Sequence, residues 1–253
     1  MIDLYQFSPL FNVPNFSPFC MKLEGFLRIA DIPYEVIASN ETQQAPKGKL
    51  PYIRDNGVAI ADSELIMDYL ESKLAFEVDG HLGSLQRATQ HAFIRMLDEH
   101  LYWALQYSRW QEEDNWQTLK RHLFGHIPPP VSTVLAAKAR HKIRQQLYDQ
   151  GMGRHNREEI YRKACKDISE LAMLLGDKKW FGGNYVSKLD LTALAYLSNI
   201  LIPELPSPLS DCVKKYGNLE TYCVRAGRII FAKNSQAGTA KAIDSSAISQ
   251  RPV

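Results

Sequence analysis

Three short segments combine residue types that can bind and activate a thiol. Ser17-Pro18 stands directly before an apolar helical pattern, and Leu50-Pro51 and Asp62-Ser63 follow it along the chain. A serine before a proline at the first helical position can cap the helix, and its hydroxyl can face an anion held at the positive helix end. Ser17 is therefore either a donor that stabilises a thiolate or a plain helix cap.

The other two segments suit a peptide-like ligand. An X-Pro bond can be cis, and a cis Leu50–Pro51 bond would expose the Leu50 backbone to a ligand. Asp62-Ser63 stands between a strand pattern and a helix pattern, where free N–H groups and a hydroxyl can bind a carboxylate. Lys49 adds a positive charge beside Leu50.

In this order, the segments resemble the glutathione transferase superfamily. Other sequence segments resemble the branch of this superfamily that contains metaxins, the failed axon connections protein and their bacterial relatives. These segments are Ser17-Pro18-Phe19-Cys20-Met21-Lys22-Leu23-Glu24, Glu99-His100-Leu101-Tyr102-Trp103, Gly151-Met152-Gly153-Arg154-His155 and Leu189-Asp190. The resemblance covers residues 1–231 and implies glutathione as co-substrate.

The resemblance also implies a role for each site residue. Ser17 is the catalytic serine that stabilises the thiolate. The Leu50–Pro51 bond is expected to be cis, and the Leu50 backbone beside it pairs with the cysteinyl backbone of glutathione. Ser63, next to Asp62, holds the γ-glutamyl carboxylate, and Lys49 reaches the glycine carboxylate.

The implied reaction is transfer of glutathione to a small electrophile, or a related dehalogenation or isomerisation. Two alternatives remain open. The first is a non-catalytic, metaxin-like binding or assembly module with a degenerate glutathione site. The second is a glutathione-dependent reductase that acts through Cys20, although Cys20 falls on the apolar stripe of its helix and is expected to be buried and inert.

Aromatic residues suggest a second pocket. Phe19 follows Ser17, and Tyr107 and Trp110 stand on a later aromatic helix. These three residues are candidates for a co-substrate pocket, with Arg109 as a further polar group. Aromatics at helical spacing also suit a packed core.

The periodicity predicts the elements that position these residues. Strands at 2–7, 34–39, 52–54 and 58–61, with helices at 18–30 and 63–74, give a βαβ-ββα order, and Asp55-Asn56-Gly57 predicts a hairpin. Helical patterns follow at 84–112, 132–150, 157–176, 188–202 and 218–231, and residues 113–131 read as irregular. The fold class is thus α/β plus all-α. A thioredoxin-like domain (1–76) precedes a helical bundle (84–231), and 232–253 have the composition of a disordered tail.

Three sets of polar residues outside these segments are not expected to take part in the chemistry. Ser187 and Asp190 form a capping-box pattern at the start of an apolar helix. His100 stands beside acidic residues without a nucleophile nearby, and Arg154-His155 read as a solvated loop.

The overall composition indicates which classes of partner and which compartment to expect. The net charge is +2 at 45% hydrophobic and 23% charged residues, so neither nucleic acid nor a membrane surface is expected as a partner. The start of the chain does not read as a secretory signal. The histidines and four cysteines show no metal-ligand spacing, so no metal is expected, and the cysteines are expected to be mostly reduced, which favours a cytoplasmic location. The resemblance makes a homodimer possible.

Overall fold

The computed structural model describes residues 1–39 and 42–231, so the predicted tail at 232–253 lies outside the described residues. Its first part is a four-stranded sheet in the order β2-β1-β3-β4. The strands are β1 (Ile2–Gln6), β2 (Tyr34–Ala38), β3 (Tyr52–Asp55) and β4 (Val58–Ala61). β1 and β2 are parallel, whereas β3 pairs antiparallel with both β1 and β4. With α1 (Pro18–Ile29) and α2 (Ser63–Leu74), this is the predicted βαβ-ββα order.

The β3–β4 hairpin forms at the predicted turn. Asn56 and Gly57 both have positive φ, 50° and 84°, as a tight two-residue hairpin turn requires. The turn sets the register in which Tyr52 pairs with Ala61. This pairing controls how the candidate binding segments meet.

The second part of the chain is helical. Its helices are α3 (Ser84–Met96), α4 (Tyr102–Trp110), α5 (Glu113–Phe124), α6 (Val131–Gln150), α7 (Arg157–Leu175), α8 (Lys188–Leu201), α9 (Pro208–Lys214) and α10 (Gly217–Ile230). The expectation of an irregular 113–131 is wrong, because 113–124 form α5. Acidic residues in the first turn of α5 favour the start of a helix, and Trp116 and Leu119 form its buried apolar face. The proline run at 128–130 separates α5 from α6 instead of disrupting the whole segment.

The long helical pattern at 84–112 has an internal irregularity. α3 and α4 are joined by a π-helical turn, Leu97–Leu101, so the two helices continue each other. Such a turn inserts a residue and re-aims the side chains after it, and it is often found at functional sites. The turn places Asp98 inside the protein, where it is 4% exposed.

α1 holds the two parts together. It packs on α2 on one side and on α8 on the other, and the residues Pro18 and Cys20 to Leu27 are all buried. Gly25 permits the close approach, because a Cβ there would lie 3.3 Å from Leu191 of α8. One apolar cluster consequently runs from the sheet through α1 into the helical bundle.

The expectation that the cysteines are mostly reduced is only partly met. Cys165 and Cys212 form a disulfide, whereas Cys20 and Cys223 are free and buried. α7 packs against α9, which brings the two Cα atoms to 5.7 Å, within the usual range for a disulfide. The argument from reduced cysteines to a reducing compartment therefore fails at this pair.

Candidate functional site

Ser17 caps α1 as predicted. Its hydroxyl oxygen accepts a hydrogen bond from the Cys20 backbone N–H at 3.4 Å, and its main-chain oxygen accepts one from Met21 N–H at 2.9 Å. Pro18 has no N–H, so Phe19 N–H is the remaining first-turn donor, and it has no partner among the described residues. The Ser17 oxygen is the acceptor in the cap, so its single O–H is the group that can donate, either to the Cys20 thiol or to a ligand. The half-buried Ser17 O–H and the Phe19 N–H together offer two donors at a positive helix end.

Cys20 is not available for redox chemistry. Its side chain is fully buried, and burial raises the pKa of its thiol to about 12 despite hydrogen bonds from Ser17 and the Phe7 backbone. The thiolate is the reactive form of cysteine, so this thiol is inert near neutral pH. The geometry does not support the reductase alternative.

The hairpin register brings the two binding segments side by side. Since Tyr52 pairs with Ala61, Leu50-Pro51 enters β3 where Asp62-Ser63 leaves β4. The Leu50–Pro51 bond is cis, as expected, and the ladder begins only at Tyr52, so the Leu50 peptide groups stay outside the sheet pairing. Leu50 also shares a small apolar cluster with Cys20 of α1. The first turn of α1 and both binding segments thus lie around one edge of the sheet.

Asp62 and Ser63 divide their roles differently from the expectation of free N–H groups. The Asp62 carboxylate caps α2 by accepting from Glu64 N–H at 3.0 Å and Leu65 N–H at 3.3 Å. Those two donors are therefore occupied. Asp62 has a φ of 88°, an uncommon value for a residue with a side chain. Residues with such strained backbone angles often occur at ligand-binding sites. Ser63 is buried as a residue, and its hydroxyl makes no hydrogen bond within the described part of the chain, so it can still bind a ligand.

The other predicted site residues lie in different environments. Lys49 is exposed beside Leu50. Phe19 meets the Tyr102 ring edge-on at 5.1 Å, and Trp110 stacks on Trp116 at 5.4 Å. Tyr107 lies on another side of α4, where its ring meets Tyr161 of α7.

A buried polar network behind Ser17 was missed by the sequence reasoning. Arg109 of α4 donates to the Phe16 carbonyl at 2.8 Å and to Asn199 Oδ1 of α8 at 2.7 Å. Asn199 in turn donates to the Asn15 carbonyl at 3.1 Å, and Asn15 Oδ1 accepts from Ser17 N–H at 3.0 Å. A lone asparagine inside the apolar α8 sequence was the available signal. This network ties the loop before Ser17 to two helices of the bundle.

A second network joins α1 to the π-helical turn. The Lys22 ammonium lies 2.5 Å from Asp98 Oδ2, and Tyr196 of α8 donates to Asp98 Oδ1 at 3.1 Å. Lys22 also lies over the Phe19 ring, 5.0 Å from its centroid. The charges therefore compensate each other one turn beyond Ser17.

The polar groups expected to be structural are indeed held by the fold. The Asp190 carboxylate is fully buried and accepts from Ser187 N–H at 2.9 Å, Phe181 N–H at 2.8 Å and Tyr222 O–H at 3.1 Å. Burial raises its pKa, and the hydrogen bonds from Ser187, Phe181 and Gly182 oppose that rise. His100 pairs with Asp167 of α7. Arg154 and His155 are exposed in the α6–α7 connection, where Arg154 donates to the Tyr148 carbonyl at 2.9 Å.

Within residues 1–39 and 42–231, no group of three or more histidine, cysteine or acidic side chains could hold a metal ion. Over the same residues, no helix has both the length and the apolar character needed to cross a membrane.

Both parts of the chain match family models of one protein family. A family model described as the glutathione S-transferase N-terminal domain matches residues 18–115, and one described as the glutathione S-transferase C-terminal domain matches residues 164–226. The isoprene-epoxide glutathione S-transferase of a Rhodococcus species is 32% identical over 79% of this chain and 87% of its own length. The chain belongs to the glutathione S-transferase family. The sequence-based expectation of that family is thus confirmed.

Two other relatives of this glutathione S-transferase family member come from the branch expected from the sequence. Failed axon connections of Drosophila melanogaster is 32% identical over 83% of the chain, and metaxin-1 of Homo sapiens is 25% identical over 91%. The chain spans 53% and 51% of the lengths of these two relatives.

Solved structures confirm the glutathione transferase fold. Glutathione transferase F7 of Populus trichocarpa superposes with a TM-score of 0.60 at 15% identity, covering 92% of this chain and 97% of its own. The beta-etherase LigF of Sphingobium superposes with a TM-score of 0.61 at 17% identity, covering 92% and 99%. At these identities the likeness concerns the fold alone.

Proposed function

We propose that the protein transfers glutathione to a small electrophile, with Ser17 donating a hydrogen bond to the thiolate. The observation that carries the proposal is a pair of donors, the rotatable Ser17 O–H and the unpaired Phe19 N–H, at the positive end of a buried helix. A free thiol with a pKa near 8.5 is mostly protonated at neutral pH, and lowering that value by two units needs roughly 2.7 kcal/mol. A helix end and one hydroxyl donor suit that task.

The binding half of the site supports glutathione as the thiol. The Leu50 peptide groups lie outside the sheet ladder, where they suit the cysteinyl backbone of the ligand. The unpaired Ser63 hydroxyl suits the γ-glutamyl carboxylate, and exposed Lys49 suits the glycine carboxylate. Asp62 serves this site by holding the turn that presents Ser63.

The electrophile we propose is a small epoxide, since a relative of 32% identity is named an isoprene-epoxide transferase. The glutathione thiol first loses its proton to solvent. Its sulfur then attacks an epoxide carbon, so that an S–C bond forms and the C–O bond breaks. The alkoxide takes up a proton, and the product is a hydroxy thioether of glutathione. Phe19 and Trp110 are the proposed apolar contacts of the electrophile, with Tyr107 as a more remote candidate.

The test is turnover of glutathione with a small epoxide, followed by product mass and loss of thiol. Ser17→Ala is expected to lower kcat/KM by ten- to a thousandfold, about 1.4–4 kcal/mol, while the fold persists. Ser84→Ala is the matched control, because Ser84 is exposed at the start of α3. Equal turnover by Ser17→Ala and wild type would reduce Ser17 to a helix cap.

A second candidate function is a non-catalytic binding or assembly module. The similarity to metaxin-1 and to Failed axon connections favours it. This alternative predicts that wild-type protein neither binds glutathione nor turns over an epoxide.

A further inference from the structure

The guanidinium of Arg109 is a buried cation directly behind Ser17. Arg109 is 3% exposed, and its guanidinium carbon Cζ lies 3.5 Å from the Phe16 ring centroid. The guanidinium also donates a hydrogen bond to the Phe16 carbonyl at 2.8 Å. That carbonyl belongs to the peptide bond that joins Phe16 to Ser17. The cation is therefore bonded to the backbone of the residue proposed to hold the thiolate.

This charge has no carboxylate to balance it. Among the described residues no acidic side chain forms an ion pair with Arg109, and its Nε–H has no hydrogen-bond partner. Burial lowers the pKa of Arg109 to about 9, which leaves it charged at neutral pH. Burying an unpaired charge costs free energy, so the position of this one directly behind the proposed site calls for a physical reason.

The titratable groups around Arg109 are neutral or already paired. Tyr102 of α4 and Tyr196 of α8 face it, and burial raises the pKa of both phenols. Asp98 is bonded to Tyr196 and paired with Lys22, and Cys20 beside Ser17 is a neutral thiol. The positive potential of Arg109 is consequently not cancelled on the side of Ser17.

Arg109 also fixes the shape of the loop before Ser17. Asn199 accepts from Arg109 at 2.7 Å and donates to the Asn15 carbonyl at 3.1 Å, and Asn15 Oδ1 accepts from Ser17 N–H at 3.0 Å. The guanidinium therefore holds the loop before Ser17 at two points, directly at the Phe16 carbonyl and, through Asn199, at the Asn15 carbonyl. A fixed cation in a dry site acts more strongly on a developing anion than one in water.

We propose that Arg109 is a positioning residue of the glutathione site whose uncompensated charge, acting through the Phe16–Ser17 peptide, favours the ionised form of the bound glutathione thiol. This proposal rests on the proposed function. It assigns the activation of the thiol to the helical bundle as well as to the N-terminal end of α1.

The test is the pKa of the bound thiol, measured from the ultraviolet absorbance of the thiolate against pH at saturating glutathione. Arg109→Gln removes the charge and keeps a donor, and it is expected to raise that pKa by about one unit, a tenfold smaller thiolate fraction below it. Arg109→Lys keeps the charge and is expected to stay close to wild type. Arg140→Gln is the matched control, because Arg140 also bonds the backbone of the α4 end but pairs with Glu113 at 3.0 Å and lies over Trp116.

Asn199→Asp keeps the test decisive if Arg109→Gln does not fold. The substituted carboxylate keeps the acceptor for Arg109 and cancels its charge, so the thiol pKa is expected to rise as well. Unchanged values in Asn199→Asp and Arg109→Gln would overturn the proposal, and so would an equal rise in Arg109→Lys. If wild-type protein does not bind glutathione, the proposed function fails first, and that result is distinct from a bound thiol insensitive to Arg109.

Discussion

The Lys22 ammonium lies 2.5 Å from the Asp98 carboxylate, and the two side chains are 2% and 3% exposed. Lys22 stands on α1 in the thioredoxin-like part, and Asp98 stands on the π-helical turn of the bundle. The pair therefore crosses the boundary between the two parts within one turn of the proposed site.

Removing one member of this pair should destabilise the protein strongly. Asp98→Ala leaves a buried, unpaired ammonium and an unpaired Tyr196 hydroxyl, and the free energy of unfolding should fall by about 3–5 kcal/mol. Urea unfolding measures it. Glu77→Ala is the control, because it removes an exposed pair with Arg87 and should cost less than about 1 kcal/mol. A loss no larger than that of the control would show that the buried pair contributes little.

The Asp190 carboxylate is predicted to matter for stability and not for chemistry. Asp190→Ala leaves buried donors of Phe181, Ser187 and Tyr222 unpaired, so the free energy of unfolding should fall by about 3 kcal/mol or more. Thermal unfolding measures this, with exposed Asp177→Ala as the control. A variant with unchanged melting and lost turnover would contradict the structural role.

Thiol counting tests the cysteine assignments. Unfolded, unreduced protein should show two thiols, because Cys165 and Cys212 are paired, whereas Cys20 and Cys223 are free. In the native state neither should react with a thiol reagent near pH 8, because burial raises both pKa values and that of Cys20 to about 12. At pH 8 that leaves about one Cys20 thiolate in ten thousand. Four thiols in the unfolded protein, or rapid native labelling of Cys20, would refute these assignments.

Local patterns predicted the parts of the molecule that local physics controls. The strand bounds, the Asn56-Gly57 turn, the cap at Ser17 and the capping box at Ser187 follow from neighbouring residues. α5 was not predicted because most of its residues are polar, so the two buried apolar residues, Trp116 and Leu119, form only a weak helical pattern in the sequence. Local sequence patterns do not predict how segments that are distant in the chain pack against each other.

Contacts between distant residues could not be predicted from one sequence. Arg109 and Asn199 stand 90 residues apart, and Cys165 and Cys212 stand 47 apart. Only the tertiary fold, which brings Arg109 of α4 within hydrogen-bond distance of Asn199 of α8 and packs α7 on α9, joins such residues. The candidate segments of the site could be named from the sequence, but the charge behind Ser17 could not.

The central claim is that this chain binds glutathione at the edge formed by Ser17, Leu50 and Ser63. Calorimetric titration of glutathione into the wild-type protein tests it most directly, with Ser63→Ala and Ser17→Ala alongside. The account predicts a wild-type Kd below about 1 mM, corresponding to roughly −4.1 kcal/mol or better. It also predicts at least tenfold weaker binding by Ser63→Ala and near-normal binding by Ser17→Ala. Absence of binding heat at millimolar glutathione, in a folded wild-type protein, would contradict the account and favour the non-catalytic binding module.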